Sequence, residues 1–167
     1  MSKIRKTKKV IQREVIVVLP DIRSAHNVGS IFRTSDGAGV SRIILSGYSP
    51  RPMDKFGRTQ RDIAKTALGA EMSVSWTYEK SLSTVLKRLR AEKFEIVAVE
   101  QSKKSVLYSS YKPPSRVVFI FGNEVGGIPT SVLKKCDVVL EITMKGKKES
   151  LNVAAAAAVV LFRVLGV

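Results

Sequence analysis

Residues 14–39 read EVIVVLPDIRSAHNVGSIFRTSDGAG, and this stretch indicates the fold. Its first six residues form a continuous apolar, β-branched run, which is typical of a strand buried on both faces of a parallel sheet. A polar segment follows, and residues 27–36 then have a helical pattern with Asn27 as the predicted N-cap. The sequence Gly37-Ala38-Gly39 would end that helix. A buried strand that leads through a polar loop into a helix is typical of an α/β domain.

The same alternation continues along the chain of 167 residues. Short apolar runs predict further strands at residues 42–45, 73–76, 95–99, 117–121 and 138–142. Helices are expected over residues 79–92, near residues 128–135, and from about Leu151 almost to the end. We therefore predict an α/β fold with a mostly parallel sheet flanked by helices. Residues 1–12 are expected to form a basic flexible tail and residues 13–167 a single domain.

The chain is strongly basic, with 29 Lys and Arg against 14 Asp and Glu and a formal net charge of +15. This excess favours a polyanionic partner, with nucleic acid ahead of an anionic membrane surface. A single cysteine, Cys136, excludes a disulfide framework, and a single histidine, His26, excludes a metal site of several histidines. No apolar run reaches the ~20 residues of a membrane span, and no secretory signal follows the basic N-terminus. We expect a cytoplasmic protein.

Three polar, glycine-containing segments follow predicted strands, at residues 20–39, 122–127 (GNEVGG) and 143–152 (TMKGKKESLN). Because the carboxyl ends of parallel strands meet at one edge of a sheet, these segments are expected to form one composite site. Each also has a purely structural explanation. Arg33 could be a solvated cation, and Glu124 could complement the dipole of the helix near residues 128–135. Ser150 and Asn152 could cap the last helix.

In this order and spacing, the segments resemble the three motifs of the SpoU family of RNA ribose 2′-O-methyltransferases, in the SPOUT superfamily. A further stretch, residues 65–70 (KTALGA), is similar to the mid-domain segment of that family. The resemblance covers residues 14–165. The matching residues are Asn27-Val28-Gly29, Arg33-Thr34 and Gly39-Val40 for motif 1; Phe121-Gly122-Asn123-Glu124 and Gly127 for motif 2; and Ile142, Met144 and Ser150-Leu151-Asn152-Val153 for motif 3.

The resemblance implies a deep trefoil knot made by the motif 2 and motif 3 region. It also implies S-adenosylmethionine as the methyl donor, bound within the knot mainly by backbone groups. By motif position, the cofactor contacts fall on Gly122, Ile142 and Leu151, with Val99 as a further wall. A homodimer is implied as well, with the site built at the interface between the subunits.

The family's chemistry requires an aligned, deprotonated ribose oxygen, and its sulfonium donor requires no metal. The resemblance places Arg33 at the 2′-hydroxyl. Because arginine resists deprotonation, we expect Arg33 to clamp a phosphate and stabilise alkoxide charge rather than act as the base. The resemblance implies that Asn27 and Asn152 hold Arg33 and the ribose, and that Ser150 orients the nucleotide. Glu124 would position a partner or relay the proton.

Two residues depart from the family pattern, since Val125 stands where glycine is usual and Thr143 where proline is usual. Both lie in loops expected to wrap the cofactor. The basic tail and the segments 51–61 and 145–148 are candidate phosphate contacts.

The sequence therefore predicts an S-adenosylmethionine-dependent enzyme that modifies a ribose 2′-hydroxyl in tRNA or rRNA. Two alternatives stay open at this point. One is a non-catalytic knotted protein that binds RNA or assists ribosome assembly. The other is a methyltransferase of the same superfamily that acts on a base.

Overall fold

The computed structural model describes residues 13–167, so the expected tail lies outside the described residues. The centre of the fold is a sheet of seven strands in the spatial order β3-β2-β1-β6-β4-β7-β5, and every neighbouring pair is parallel. This confirms the predicted parallel α/β sheet. The strands are β1 (Glu14–Pro20), β2 (Arg42–Ser46), β3 (Trp76–Glu79), β4 (Glu95–Val99), β5 (Val106–Leu107), β6 (Arg116–Phe121) and β7 (Val138–Glu141).

Helices cover both faces of the sheet. Alternate side chains of β1 explain this arrangement, because Val15, Val17 and Leu19 pack with α1, α2 and α6 on one face, whereas Ile16 and Val18 pack with α4 on the other. All five are almost completely buried. A strand buried on both faces is what the continuous apolar run predicted. The helices are α1 (Ala25–Gly37), α2 (Arg61–Ala67), α3 (Ala70–Ser73), α4 (Leu82–Ala91), α5 (Thr130–Leu133) and α6 (Val153–Leu165), with a 3₁₀ turn at Tyr108–Ser110.

The structure corrects two local predictions. The strand predicted at residues 73–76 begins three residues later, because Ser73 ends α3 and β3 begins only at Trp76. Val74 is buried in the connection between them, so its apolar side chain reports burial rather than strand structure. Asn27 is not the N-cap of α1, because the helix begins two residues earlier and the Ser24 hydroxyl accepts the Asn27 backbone N–H at 3.2 Å. The Asn27 side chain is therefore available for other contacts.

Helix α1 lies directly against α2 because motif 1 contains Gly29. A Cβ at Gly29 would overlap the hydroxyl of Thr66 and the carbonyl oxygen of Ile63. This glycine therefore serves helix packing and fixes the position of α1, whose N-terminus faces the site described below. Within residues 13–167, no helix combines the length and the apolar composition needed to cross a bilayer.

Candidate active site at the carboxyl edge of the sheet

A cleft of about 680 Å³ opens beyond the carboxyl ends of β4, β6 and β7. The end of β4, the turn at residues 122–127 and the segment at residues 142–152 form its walls. Its volume lies within the range typical of small-molecule sites. All four residues predicted to contact the cofactor line this cleft: Val99, Gly122, Ile142 and Leu151.

The turn after β6, residues 122–127, is held in shape by its own side chains and backbone. The Asn123 side-chain oxygen accepts the backbone N–H groups of Val125 at 3.0 Å and Gly126 at 2.8 Å. The Gly127 N–H donates back to the Asn123 carbonyl at 3.1 Å. A Cβ at Gly122 would lie only 2.5–2.8 Å from backbone atoms of Gly127 and Ile128. Glycine at position 122 therefore allows the turn to fold back against the end of the strand.

Glu124 joins this turn to the start of α1. Its carboxylate accepts the Asn27 side-chain amide at 2.8 Å and the backbone N–H groups of Arg23 at 3.1 Å and Ser24 at 3.3 Å. The first N–H groups of a helix lack partners within the helix, and a carboxylate there is favoured by the helix dipole. Glu124 thus serves α1, whereas the structural explanation considered above assigned it to the helix near residues 128–135.

These hydrogen bonds determine the charge of Glu124. Burial alone would raise the pKa of its carboxyl, but the hydrogen bonds from Asn27, Arg23 and Ser24 outweigh that effect and hold the pKa below its usual range. Glu124 is therefore ionised at neutral pH and can only accept hydrogen bonds. This favours a positioning role over a proton relay.

Glu124→Gln tests the contribution of that charge to stability. Because its pKa is lowered in the folded state, Glu124 stabilises the fold above the ordinary pKa of a glutamate, and the contribution is lost as the pH falls through the lowered value. Glu124 is largely exposed, so we expect a decrease in Tm of about 1–3 °C at pH 7. The two melting temperatures should begin to converge as the pH falls below the ordinary pKa of a glutamate, about 4.3, and should meet below the lowered pKa of the folded state.

The matched control is Glu149→Gln, which removes a carboxylate from the same cleft. Within the described residues, the Glu149 carboxylate accepts no hydrogen bond. The Tm of Glu149→Gln should therefore equal that of the wild type both at pH 7 and at acidic pH. A Tm difference for Glu124→Gln that persists unchanged down to pH 3 would contradict the assignment, because the effect would then not depend on the carboxylate charge.

The Asn27 amide continues the chain of contacts to motif 3. The Asn152 amide donates to the Asn27 side-chain oxygen at 3.1 Å. The Asn152 oxygen in turn accepts the N–H groups of Ala154 at 2.9 Å and Ala155 at 3.4 Å, so Asn152 caps α6. Glu124, Asn27 and Asn152 therefore form one hydrogen-bonded chain that joins all three motifs, although they lie up to 125 residues apart in sequence.

The remaining two predicted residues differ in their placement. Ser150 lines the cleft beside Leu151 and is exposed. Arg33 lies on α1, six residues after Asn27, which is about 9 Å further along the helix axis. Its side chain is exposed and does not line the cleft. Within one chain, the structure therefore places every predicted site residue in the cleft or in hydrogen-bond contact with a residue that lines it, except Arg33.

Sequence reasoning missed two residues of this cleft, Glu100 and Gln101. The Glu100 carboxylate accepts the Ile128 N–H at 2.9 Å and so holds the far end of the turn at residues 122–127. The Gln101 side chain donates to the Glu149 carbonyl at 2.5 Å and joins the β4 end to motif 3. Neither Glu100 nor Gln101 belongs to a glycine-containing segment. The one available signal was their position directly after the apolar run at residues 95–99, on the same edge of the sheet.

Two other kinds of chemistry receive no support from the described part of the chain. Residues 13–167 contain no group of three or more His, Cys, Asp or Glu side chains arranged to hold a metal ion. Burial raises the pKa of the Cys136 thiol to about 11, so that thiol is neutral at physiological pH and is not an activated nucleophile.

Comparison with known proteins identifies the family. The model of the SpoU rRNA Methylase family matches residues 14–162, which include all three motifs and almost all of the described chain. The chain belongs to the SpoU rRNA Methylase family. The resemblance to the SpoU family, inferred from the three motifs, is therefore confirmed. The hydrogen bonds among Glu124, Asn27 and Asn152 connect these same three motifs.

Comparisons with individual proteins show which members of the family are similar to this chain. It is 31% identical over 147 residues to the 23S rRNA (guanosine-2'-O-)-methyltransferase RlmB of Neisseria meningitidis serogroup B, across 88% of this chain and 56% of that protein. An AdoMet-bound rRNA methyltransferase from Sinorhizobium meliloti superimposes with a TM-score of 0.81 at 28% identity, across 90% of this chain and 55% of that one. The chain thus spans little more than half the length of these relatives.

A third comparison concerns the fold alone. The A. aeolicus TrmH/SpoU tRNA modifying enzyme has a TM-score of 0.80 with this chain at 24% identity, and the match covers 93% of this chain and 75% of that one. The parallel sheet and its helices are therefore those of solved SpoU methyltransferases.

Proposed function

We propose that this protein transfers a methyl group from S-adenosylmethionine to a ribose 2′-hydroxyl in rRNA or tRNA. The observation that carries the proposal is the hydrogen-bonded chain of Glu124, Asn27 and Asn152 at the mouth of the cleft. It holds polar groups from all three motifs in one place, next to a cavity of cofactor size. The names of the relatives, a guanosine-2'-O-methyltransferase and an AdoMet-bound rRNA methyltransferase, support the same reaction.

The residues of the cleft fit S-adenosylmethionine. The turn at residues 122–127 presents backbone groups, and Ile142, Leu151 and Val99 add apolar surface. Such a mixture suits a ligand with an apolar adenine face and polar ends. The bound cofactor would supply an electrophilic methyl group. Glu124 and Asn152 would keep the Asn27 amide at the mouth of the cleft, and Ser150 would orient the nucleotide there.

Val125 and Thr143, the two departures from the family pattern, fit this arrangement. Val125 is mostly exposed, and its backbone N–H still donates to Asn123. Thr143 is exposed as well. Val125 lines the cleft at an exposed position, and Thr143 does not line it, so we expect both to be compatible with cofactor binding.

Arg33 supports a homodimer. One chain does not place Arg33 among the residues that line its own cleft. An arginine that acts at the reacting oxygen would therefore have to meet a cleft across an interface between two copies. We propose a homodimer in which the partner subunit's Arg33 completes each site. There its guanidinium would hold a phosphate and stabilise the alkoxide charge that develops as the hydroxyl proton passes to solvent at the exposed site.

We also propose the finer features of the fold that the resemblance implies. Residues 13–167 would form a single methyltransferase domain, since one seven-stranded sheet runs through them. The segment at residues 142–152 leaves β7 and lines the same cleft as the turn at residues 122–127 before α6 begins, which supports a trefoil knot in this region. A cytoplasmic location stays a prediction that follows from an rRNA or tRNA substrate.

The proposed activity can be tested with the full chain and S-adenosylmethionine labelled on the methyl group. The substrates would be total tRNA and rRNA from a strain that lacks the gene. We expect label to enter one RNA class, and the modified position to resist alkaline cleavage, because a 2′-O-methyl group blocks attack by the ribose oxygen. The matched control is a synthetic RNA with 2′-deoxyribose at the mapped nucleotide, which should accept no label.

Two results would contradict this proposal in different ways. Label that enters an RNA without blocking alkaline cleavage would indicate methylation of a base. Tight binding of RNA and S-adenosylmethionine without any transfer would indicate a non-catalytic RNA-binding protein.

A further inference from the structure

A second cleft, of about 960 Å³, lies at the carboxyl ends of β2 and β3, on the same edge of the sheet as the first. Its walls come from the long loop between β2 and α2, residues 47–60, and its floor includes Tyr78 at the end of β3. The motifs do not include this loop. The second cleft is centred between β3 and β2, and the first is centred on β4, three to four strand spacings away. Neighbouring strands lie about 4.8 Å apart, so the centres of the clefts are roughly 15–20 Å apart.

The loop contains a preorganised hairpin. Met53 and Thr59 form an antiparallel bridge, and the Asp54 carboxylate accepts the backbone N–H groups of Phe56 at 2.8 Å and Arg58 at 3.0 Å. The same carboxylate accepts a hydrogen bond from Nε of the Arg58 guanidinium at 2.7 Å. The backbone hydrogen bond from Arg58 is the largest of the contacts that lower the pKa of Asp54, so the turn is held by an ionised side chain.

This hairpin presents an aromatic ring to solvent at its tip. Phe56 is 69% exposed, although burial of a phenylalanine side chain is normally favourable. Two cations flank the ring, with the Lys55 ammonium 4.9 Å and the Arg58 guanidinium 5.1 Å from its centroid. At the floor of the cleft, the Arg51 guanidinium lies 4.3 Å from the centroid of the Tyr78 ring. Each ring is thus accompanied by positive charge.

Aromatic rings interleaved with cations match the chemistry of a single nucleic-acid strand. Bases stack on exposed rings, and neighbouring Lys and Arg neutralise the phosphates. The loop carries three cations, namely Arg51, Lys55 and Arg58, and Arg61 follows it as the first residue of α2. It carries one carboxylate, Asp54, which is already paired with Arg58. An interface with another protein would not need this excess of positive charge, so the charge favours RNA.

We propose that the hairpin at residues 52–60 binds an unpaired nucleotide that flanks the modified one, with its base stacked on Phe56 and its phosphates held by Lys55 and Arg58. This inference rests on the proposed RNA substrate. The separation of the two clefts corresponds to a few nucleotides of an extended strand. The first cleft would then carry out the reaction, and the second would select RNA whose flanking nucleotide is free to stack.

The test compares two fluorescent probes in titrations with the full chain. One is an oligouridylate of eight nucleotides, and the other is an abasic ribose-phosphate oligomer of the same length. Phe56→Ala should weaken binding of the oligouridylate by about 5-fold or more, the loss expected for one stacked base, and should leave binding of the abasic oligomer unchanged. Phe56→Trp should restore the affinity, because tryptophan offers a stacking surface of its own.

Two control variants complete the design. Met72→Ala removes another exposed apolar side chain, outside the loop, and should not change either affinity. Lys55→Ala should weaken both probes alike and reduce the slope of log K against log salt by about 0.7, as expected for one lost phosphate contact. Phe56→Ala should not change that slope.

The proposal is overturned if Phe56→Ala weakens both probes equally or neither of them. It is also overturned if Phe56→Ala changes the oligomeric state in sedimentation experiments, because the ring would then belong to an interface between protein chains. Binding of S-adenosylmethionine, measured by calorimetry, should be the same in wild type and Phe56→Ala. Absence of methyl transfer by the wild type would contradict the proposed function, but the comparison of the two probes would still decide the role of Phe56.

Discussion

Arg33→Ala is expected to reduce the rate of methyl transfer by about 100-fold or more, as found when a preorganised charge is removed from a reacting oxygen. The affinity for S-adenosylmethionine should stay at the wild-type value, because Arg33 does not line the cleft of its own chain. Stability should be unaffected as well, since the side chain is exposed on α1. Single-turnover assays with RNA and calorimetry with S-adenosylmethionine measure the two effects separately.

The matched control is Arg88→Ala, which removes another exposed arginine, from α4 on the opposite face of the sheet. It lowers the net charge by the same amount, so a general electrostatic loss of RNA affinity would appear in both variants. Arg33→Lys refines the assignment, because lysine keeps the charge but lacks the planar fork of the guanidinium. Near wild-type transfer by Arg33→Ala would show that Arg33 is a solvated cation, the structural explanation that its sequence context also allows.

The position of the site could be predicted from the sequence because a parallel sheet brings the ends of its strands together. The apolar runs at residues 14–19 and 95–99 predicted β1 and β4 to within one residue at each end. The loops that follow the strands then had to share one edge. The sequence therefore predicted that the loops meet, but it did not predict the hydrogen bond from Asn27 to Glu124 that holds motif 1 and motif 2 together.

Local signals failed where tertiary contacts decide the structure. Helix α2 escaped prediction because it is short, Gln60 provides no side-chain cap, and only Ile63 and Ala67 are buried. Asn27 looked like a cap because asparagine favours that position, yet Ser24 takes it. Asn27 instead lies in the first turn of α1, where its side-chain amide contacts both Glu124 and Asn152.

The geometry of the turn at residues 122–127 was equally invisible in the sequence. A glycine after a strand is usually only a flexible link, and nothing in the letters GNEVGG shows how closely the chain folds back. The carboxylate that holds the end of this turn belongs to Glu100, which directly follows the neighbouring strand β4. Such a contact across the sheet depends on strand order, which no local pattern in the sequence specifies.

Gly122→Ala is therefore expected to weaken S-adenosylmethionine binding strongly. The added Cβ would meet backbone atoms of Gly127 and Ile128 at 2.5–2.8 Å, and backbone cannot rotate away as a side chain can. The turn would have to open and give up the hydrogen bond from the Ile128 N–H to Glu100. Overpacking of this kind costs about 1–3 kcal/mol, which corresponds to an increase in Kd of roughly 5- to 150-fold if the strain falls on the binding-competent turn.

Gly126→Ala provides the control within the same turn. A Cβ at Gly126 would have the Asn123 side-chain oxygen at 3.8 Å as its nearest neighbour, which is an ordinary contact, so the Kd should stay within about twofold of wild type. Thermal melts separate local from global effects, because a folded Gly122→Ala protein should retain the cooperative transition of its sheet. Wild-type Kd values for both Gly122→Ala and Gly126→Ala would show that the shape of this turn does not determine cofactor binding.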